Sequence, residues 1–182
     1  MKIEQIHHVA YRCRDAKETV DFYTKHLQMK FLLAISEDRV PSTKEPNPYM
    51  HLFLDAGKGN ILAFFELPNS PEMGRDENTP KWVQHIAFQL ENEEALLQAK
   101  SELEAGGIEV LGPTDHGIIK SIYLFDPNGH RLELTTVTAT EDQLRKLDEV
   151  KWEMLDEWTH TKATSKKANW LHESEFNSNP TD

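Results

Sequence analysis

The sequence is short of cysteine, of basic charge and of long apolar runs, and each shortage excludes something. A single cysteine among 182 residues leaves Cys13 without an internal disulfide partner, which fits a reducing cytoplasm. Cys13 itself reads as a small hydrophobe buried in a strand. No stretch reaches the roughly 18 consecutive apolar residues of a membrane-spanning helix. The opening "MKIEQIHHVAY" has no apolar core of the kind a signal peptide needs, so the expected location is the cytoplasm. Only 20 Lys and Arg stand against 31 Asp and Glu, a formal net charge of −11. That balance opposes binding to nucleic acid or to an anionic membrane surface. With 38% hydrophobic residues and this length, the chain is an ordinary globular sequence able to bury one sizeable core.

What the chain does have is a repeat. "HHVAYRCRDAKETVDFYTKHLQMKFL" begins at His7 and "QHIAFQLENEEALLQAKSELEAGGIEVL" begins at Gln84. Each opens with His-(Val/Ile)-Ala-aromatic as a short strand and then turns helical. Asp15 caps the first helix, with Glu18 as capping-box partner, and Asn92 caps the second, which Gly106-Gly107 ends. Strand-like runs follow each helix: "FLLAIS", "MHLFLDAG" and "NILAFFEL", then "IEVLG", "SIYLFD" and "HRLELTTV". Each half thus reads strand–helix–strand–strand–strand. Such a unit needs a partner to bury its sheet face, so the expected fold is α+β, with two βαβββ repeats forming one curved sheet and the helices outside.

Residues 1–139 read as one domain, with repeat one over about 3–67 and repeat two over about 83–137. "EDRVPSTKEPNPY" and "LPNSPEMGRDENTPK" read as loops, the second linking the halves. Residues 140–182 read as a C-terminal helix and a polar, mobile tail. Thr140 and Gln143 form a capping box, and Leu144, Leu147, Val150, Met154, Leu155 and Trp158 make an apolar stripe for packing within the subunit or across a homodimer.

The chemistry gathers in "DHGIIKSIYLFDPNGHRLE", Asp115 to Glu133. Asp-Pro-Asn-Gly at 126–129 suits a type I turn, and a left-handed Gly129 makes it a three-residue hairpin loop with a bulge. Tyr123 then faces Glu133 across the strands, on one face of the sheet. His8 and His85 hold matching places in the two repeats, so a pseudo-twofold axis sets them symmetrically about it. Glu133 is the candidate third ligand. Two imidazoles and one carboxylate on one side of a metal leave the other side open for substrate and dioxygen, the pattern of non-haem iron(II) oxygenases. The repeat mate of Glu133 is Ala63 if Gly59 answers to Gly129, or Leu62 if Asp55 answers to Asp126, and neither binds metal. Glu66 would need a different register. His7 falls on the opposite strand face, and His130 after the turn reads as solvent-facing.

This doubled repeat, with His8, His85 and Glu133 so placed, resembles the vicinal oxygen chelate superfamily of glyoxalase I, fosfomycin-resistance enzymes and type I extradiol dioxygenases. Within it, "TDHGIIKSIYLFDPNGHRLE" is similar to the extradiol ring-cleavage signature, carried here by His116, Ile122, Tyr123, Asp126, Pro127, Gly129 and Glu133. The resemblance implies Fe(II) held by His8, His85 and Glu133, with Mn(II), Ni(II) or Zn(II) as alternatives. It implies an aromatic diol and O2 as substrates, and His116 and Tyr123 as catalytic groups. Many ring-cleaving relatives have an acid/base histidine where this chain has Asn60. Asn60 and His51 are therefore the candidate substrate-binding residues, with His116 or His51 taking over proton transfer. A lyase, isomerase or thiol transferase of the same superfamily is the alternative, and a metal-free binding protein of the bleomycin-resistance type is a second one.

Overall fold

The computed structural model of the protein describes residues 1–171. The first half runs β1 (His8–Cys13), α1 (Ala16–His26), β2 (Lys30–Arg39), β3 (Pro46–Asp55) and β4 (Ile61–Glu66). The second runs β5 (His85–Gln89), α2 (Glu93–Ala105), β6 (Leu111–Asp115), β7 (Ile119–Phe125) and β8 (Arg131–Val137), followed by α3 (Glu141–Thr161) and a short 3-10 turn at Asn169–Leu171. The expected βαβββ order is present twice. The strands form two four-stranded ladders, β1-β4-β3-β2 and β5-β8-β7-β6, rather than one hydrogen-bonded sheet. In each, the strand before the helix pairs parallel with the last strand of the unit, and the remaining pairs are antiparallel.

Side chains alternate across each strand, so every sheet has two faces. One face meets the helices. It carries Leu52, Leu54, Leu62 and Phe64 in the first module and Ile122, Leu124, Leu132 and Leu134 in the second. These residues join Phe22 and Tyr23 of α1 and Leu96 and Leu103 of α2 in one core that runs through both halves. Each fully buried side chain of this size contributes about 1.5–3 kcal/mol, and that term holds the modules together. Cys13 belongs to the same core, and burial pushes its thiol up to about 11. The other face of each sheet carries the candidate site and is called here the site face.

A polar latch adds register to this packing. Asp126, only 5% exposed at the β7–β8 turn, accepts from the Tyr23 hydroxyl of α1 at 3.0 Å and from the backbone N–H groups of Asn128 and His130 at 2.9 and 2.8 Å. Asn128 in turn accepts from the Arg14 N–H at 2.8 Å. His130 is not solvent-facing: its Nε2 lies 2.7 Å from the Arg12 carbonyl, and its ring packs beside Tyr11.

Three boundaries differ from the sequence reading. "IEVLG" is not the strand that precedes β7; the strand is "LGPTD", displaced toward the C-terminus. It tolerates Pro113 because β6 is an edge strand and the register shifts between Leu111 and Thr114, where no ladder N–H is missed. The loop expected from Glu37 to Tyr49 is shorter, because β2 and β3 extend into it. β2 is exposed along its whole length, with register shifts at both ends and Glu37, Asp38 and Arg39 closing it, devices that blunt an edge strand. α3 has the expected Thr140–Gln143 capping box, yet none of its residues is buried, and Leu144, Leu155 and Trp158 are exposed. Of the tail, residues 172–182 lie outside the described residues. Among those described, no helix is long and apolar enough to cross a membrane.

Candidate metal centre

The site grows from the β7–β8 hairpin. Gly129 adopts φ +87°, a left-handed conformation that costs a side-chain-bearing residue and not glycine. The turn closes with Gly129 N–H donating to the Asp126 carbonyl and Asp126 N–H to the His130 carbonyl, both at 3.0 Å. That loop length sets Tyr123 opposite Glu133. Period two then places Ser121, Tyr123, Arg131, Glu133 and Thr135 together on the site face. β5 lies parallel beside β8 with His85 opposite Arg131 and Ala87 opposite Glu133.

Glu133 is 3% exposed, an unusual place for a carboxylate unless it is paired. The Ser121 hydroxyl donates to its Oε1. Its Oε2 lies 2.9 Å from His85 Nε2. Two donor atoms that bind one metal at right angles, with bonds of about 2.1 Å, stand about 3 Å apart. The His85–Glu133 pair therefore has both the chemistry and the spacing of two ligands of a divalent ion. His116 and Tyr123 also meet, His116 Nε2 lying 2.7 Å from the phenol oxygen. Burial, and then the negative charge of Glu133, hold the Tyr123 hydroxyl above its ordinary range.

His8 sits at the matching place on β1, opposite Ile61 as His85 is opposite Arg131. Its ring turns to His7 instead, the two Nδ1 atoms 2.8 Å apart with one donating and the other accepting. His7 precedes the strand, so the opposite-face placement expected of a strand neighbour does not apply to it. Among the described residues no three His, Cys, Asp or Glu side chains converge into a metal-binding group. The structure thus brings His85 to Glu133 and His116 to Tyr123, while His8 lies with His7 and beside His51 and Phe53 of its own module.

The register also settles the repeat mates. Ala10 pairs with Ala63 as Ala87 pairs with Glu133, so Ala63 is the mate of Glu133 and the Gly59 alignment is the right one. Likewise Phe53 is the mate of Tyr123 and His51 of Ser121. His51 therefore lies on the site face, the point its sequence position leaves open. Its ring stacks on Phe65 at 3.6 Å between centroids and lies 4.1 Å from Phe53. Its Nε2 is buried with no hydrogen-bond partner among the described residues, and burial, with the nearby His8, holds its pKa below the usual histidine range. Asn60 does not join the group: its amide donates to the Gly57 carbonyl inside its own turn. Missed by the sequence reading are Ser121, Thr135 and Arg131, whose guanidinium lies 4.1 Å over the Tyr123 ring. Period-two counting from Tyr123 and Glu133 would have found all three. Also missed is the loop's support. Gly117, next to His116, has φ +78° and no room for a side chain, because an added Cβ would lie 2.8 Å from the Leu171 carbonyl. The C-terminal turn rests on the loop that carries His116.

Set beside known proteins, residues 5–134 match the Glyoxalase/Bleomycin resistance protein/Dioxygenase superfamily. The chain belongs to this superfamily. A curated relative from Bacillus subtilis (strain 168), named "Putative ring-cleaving dioxygenase MhqA", is 30% identical over 139 residues. That alignment takes in 74% of this chain and 41% of the relative, so the chain spans less than half of that protein's length. Among solved structures, the glyoxalase family protein from Enterococcus faecalis is 26% identical with a TM-score of 0.56, over 74% of this chain and 99% of that one. The fosfomycin resistance protein FosX from Mesorhizobium loti is 18% identical with a TM-score of 0.54, over 79% of this chain and 98% of that one, a likeness of fold alone.

Proposed function

We propose that the protein is a ring-cleavage dioxygenase of the extradiol type, with His8, His85 and Glu133 holding one iron(II). The observation that carries this reading is the buried Glu133 carboxylate with one oxygen 2.9 Å from His85 Nε2 and the His116–Tyr123 pair on the same face. Two imidazoles and one carboxylate with open positions suit iron(II). When bound, the metal supplies a common point for the diol and O2 and a path for electron density from ring to oxygen.

The protein's own residues do the rest. His8 joins by rotating away from His7. Tyr123 donates a hydrogen bond to a substrate oxygen from its place opposite Glu133, and His116 Nε2 holds or returns the proton at the Tyr123 oxygen. The site face of the first module, with Phe53, Phe65 and Ile61, presents an apolar wall to a flat ring. His51 Nε2, buried in that wall with no partner among the described residues, hydrogen-bonds a second polar group of the ring and takes the acid/base task that Asn60 cannot perform. Ala63 at the mate of Glu133 removes the fourth protein ligand that a glyoxalase-type site would use, which favours the dioxygenase over the lyase or isomerase alternative. The test is oxygen uptake by anaerobically iron-loaded protein with a panel of catechols. Stoichiometric O2 consumption with ring opening supports the reading. No uptake by protein that retains its iron rejects it.

A further inference from the structure

We infer that Ser121 is a positioning residue that fixes Glu133 as a one-oxygen ligand, an inference that rests on the metal reading above. Ser121 is fully buried in the middle of β7 and points to the site face directly beneath the carboxylate. Its hydroxyl donates to Glu133 Oε1, leaving Oε2 as the oxygen turned to His85. A carboxylate with one oxygen committed to a buried donor presents only the other to a metal, and its rotation about the last side-chain bond is blocked.

The seat is itself built. Ser121 Oγ and Thr135 Oγ1 are 2.9 Å apart, and Thr135 Oγ1 is 3.2 Å from the Lys120 carbonyl. With the Ser121 proton given to Glu133, Thr135 donates either to Ser121 or to Lys120, and each hydroxyl oxygen keeps a partner. The seat is specific to one half of the molecule. At the mates of Ser121, Glu133 and Thr135 the first module has His51, Ala63 and Phe65, so it has neither the carboxylate nor the pair of hydroxyls. A serine present only to fill the interior would have no reason to aim its hydroxyl at the buried carboxylate beside it.

The test uses Co(II) as probe on the full chain, with binding followed by titration and by the visible d–d spectrum of the bound ion. Wild type and Glu133→Ala establish the site: the wild type takes up one equivalent and Glu133→Ala loses it. Loss of an outer partner of a metal ligand typically costs about 10- to 100-fold in affinity. Ser121→Ala is expected to weaken Co(II) binding by that factor and to alter the spectrum, because a freed carboxylate binds through both oxygens. Ser121→Cys, nearly the same shape with a weaker donor, falls between, and it carries the test if Ser121→Ala does not fold. Wild-type affinity and spectrum in the folded Ser121 variants overturn the positioning role while leaving the metal site standing. No Co(II) uptake by the wild type overturns the site and this inference together.

Discussion

On the faces that meet the helices, the two modules carry like residues at like positions: Leu52 and Ile122, Leu54 and Leu124, Leu62 and Leu132, Phe64 and Leu134. On the site faces His8 matches His85 and Ala10 matches Ala87 on the first strands, but the third and fourth strands of the modules differ at every position. Phe53 answers to Tyr123, His51 to Ser121, Ala63 to Glu133, Phe65 to Thr135 and Ile61 to Arg131. The backbone register is shared, so the difference lies in what each face must do. The helix face needs only shape and apolarity, because burial is its whole contribution. The site face is free to diverge, and one module has become a polar wall that carries Glu133 while the other has become an aromatic one. Division of labour on a duplicated scaffold leaves a single carboxylate at the centre.

The two helix–turn contacts differ in the same manner. α1 meets the β7–β8 turn through the buried Tyr23–Asp126 hydrogen bond. At the corresponding places α2 and the β3–β4 turn have Lys100 and Ala56. There the contact is an open groove of about 540 Å³ lined by Leu27, Met29, Ala56, Phe88 and Leu103.

The comparison can be broken most severely at its centre. Glu133→Ala should remove metal binding and all turnover, while Ala63→Ser at the mate position should leave both within about twofold; metal analysis and oxygen uptake on the two variants decide it. His116→Phe should leave metal content and folding unchanged and lower turnover by about 10²–10⁴-fold, the usual loss for a proton-transfer group. A rate within about threefold of the parent would reject a catalytic role for His116.

Weaker perturbations sharpen the contrast between the module contacts. Tyr23→Phe strips one partner from the buried Asp126 and should cost about 1–3 kcal/mol, read as a drop of about 2–4 °C in melting temperature per kcal/mol. Lys100→Ala, at the matching place in α2, loses a part-buried hydrogen bond to the Gly112 carbonyl and should cost about 0.5–1.5 kcal/mol, less than Tyr23→Phe. His51→Phe should not lower the melting temperature, since the buried nitrogen it removes has no partner among the described residues, yet it should lower turnover by about 10²–10⁴-fold as a proton-transfer group and raise the apparent substrate KM about three- to tenfold, the worth of one hydrogen bond. Equal KM values in the two proteins would remove His51 from the site.

The repeat, the helix caps and the hairpin were legible because each has a local signature: His-(Val/Ile)-Ala-aromatic, a cap residue, Asp-Pro-Asn-Gly. The opposition of Tyr123 and Glu133 followed from the turn alone. What stayed hidden depends on contacts between distant segments. The face of His51 depends on the register of β3 against β4, which no turn signal fixed. The β6 strand escaped because Gly112-Pro113 reads as a loop unless the edge position and its bulge are known. His130 reads as a turn residue until Arg12 of the other module is placed beside it. The Leu171–Gly117 contact joins segments that nothing in their composition connects.

His8 carries the central claim, because the site is shared between modules only if a residue of the first binds the same ion as His85 and Glu133. Anaerobic Fe(II) titration of the wild type beside His8→Ala tests it directly. The account predicts one equivalent of iron in the wild type and at least tenfold weaker binding in His8→Ala. Equal affinity in the two proteins would place the whole site in the second module and contradict it.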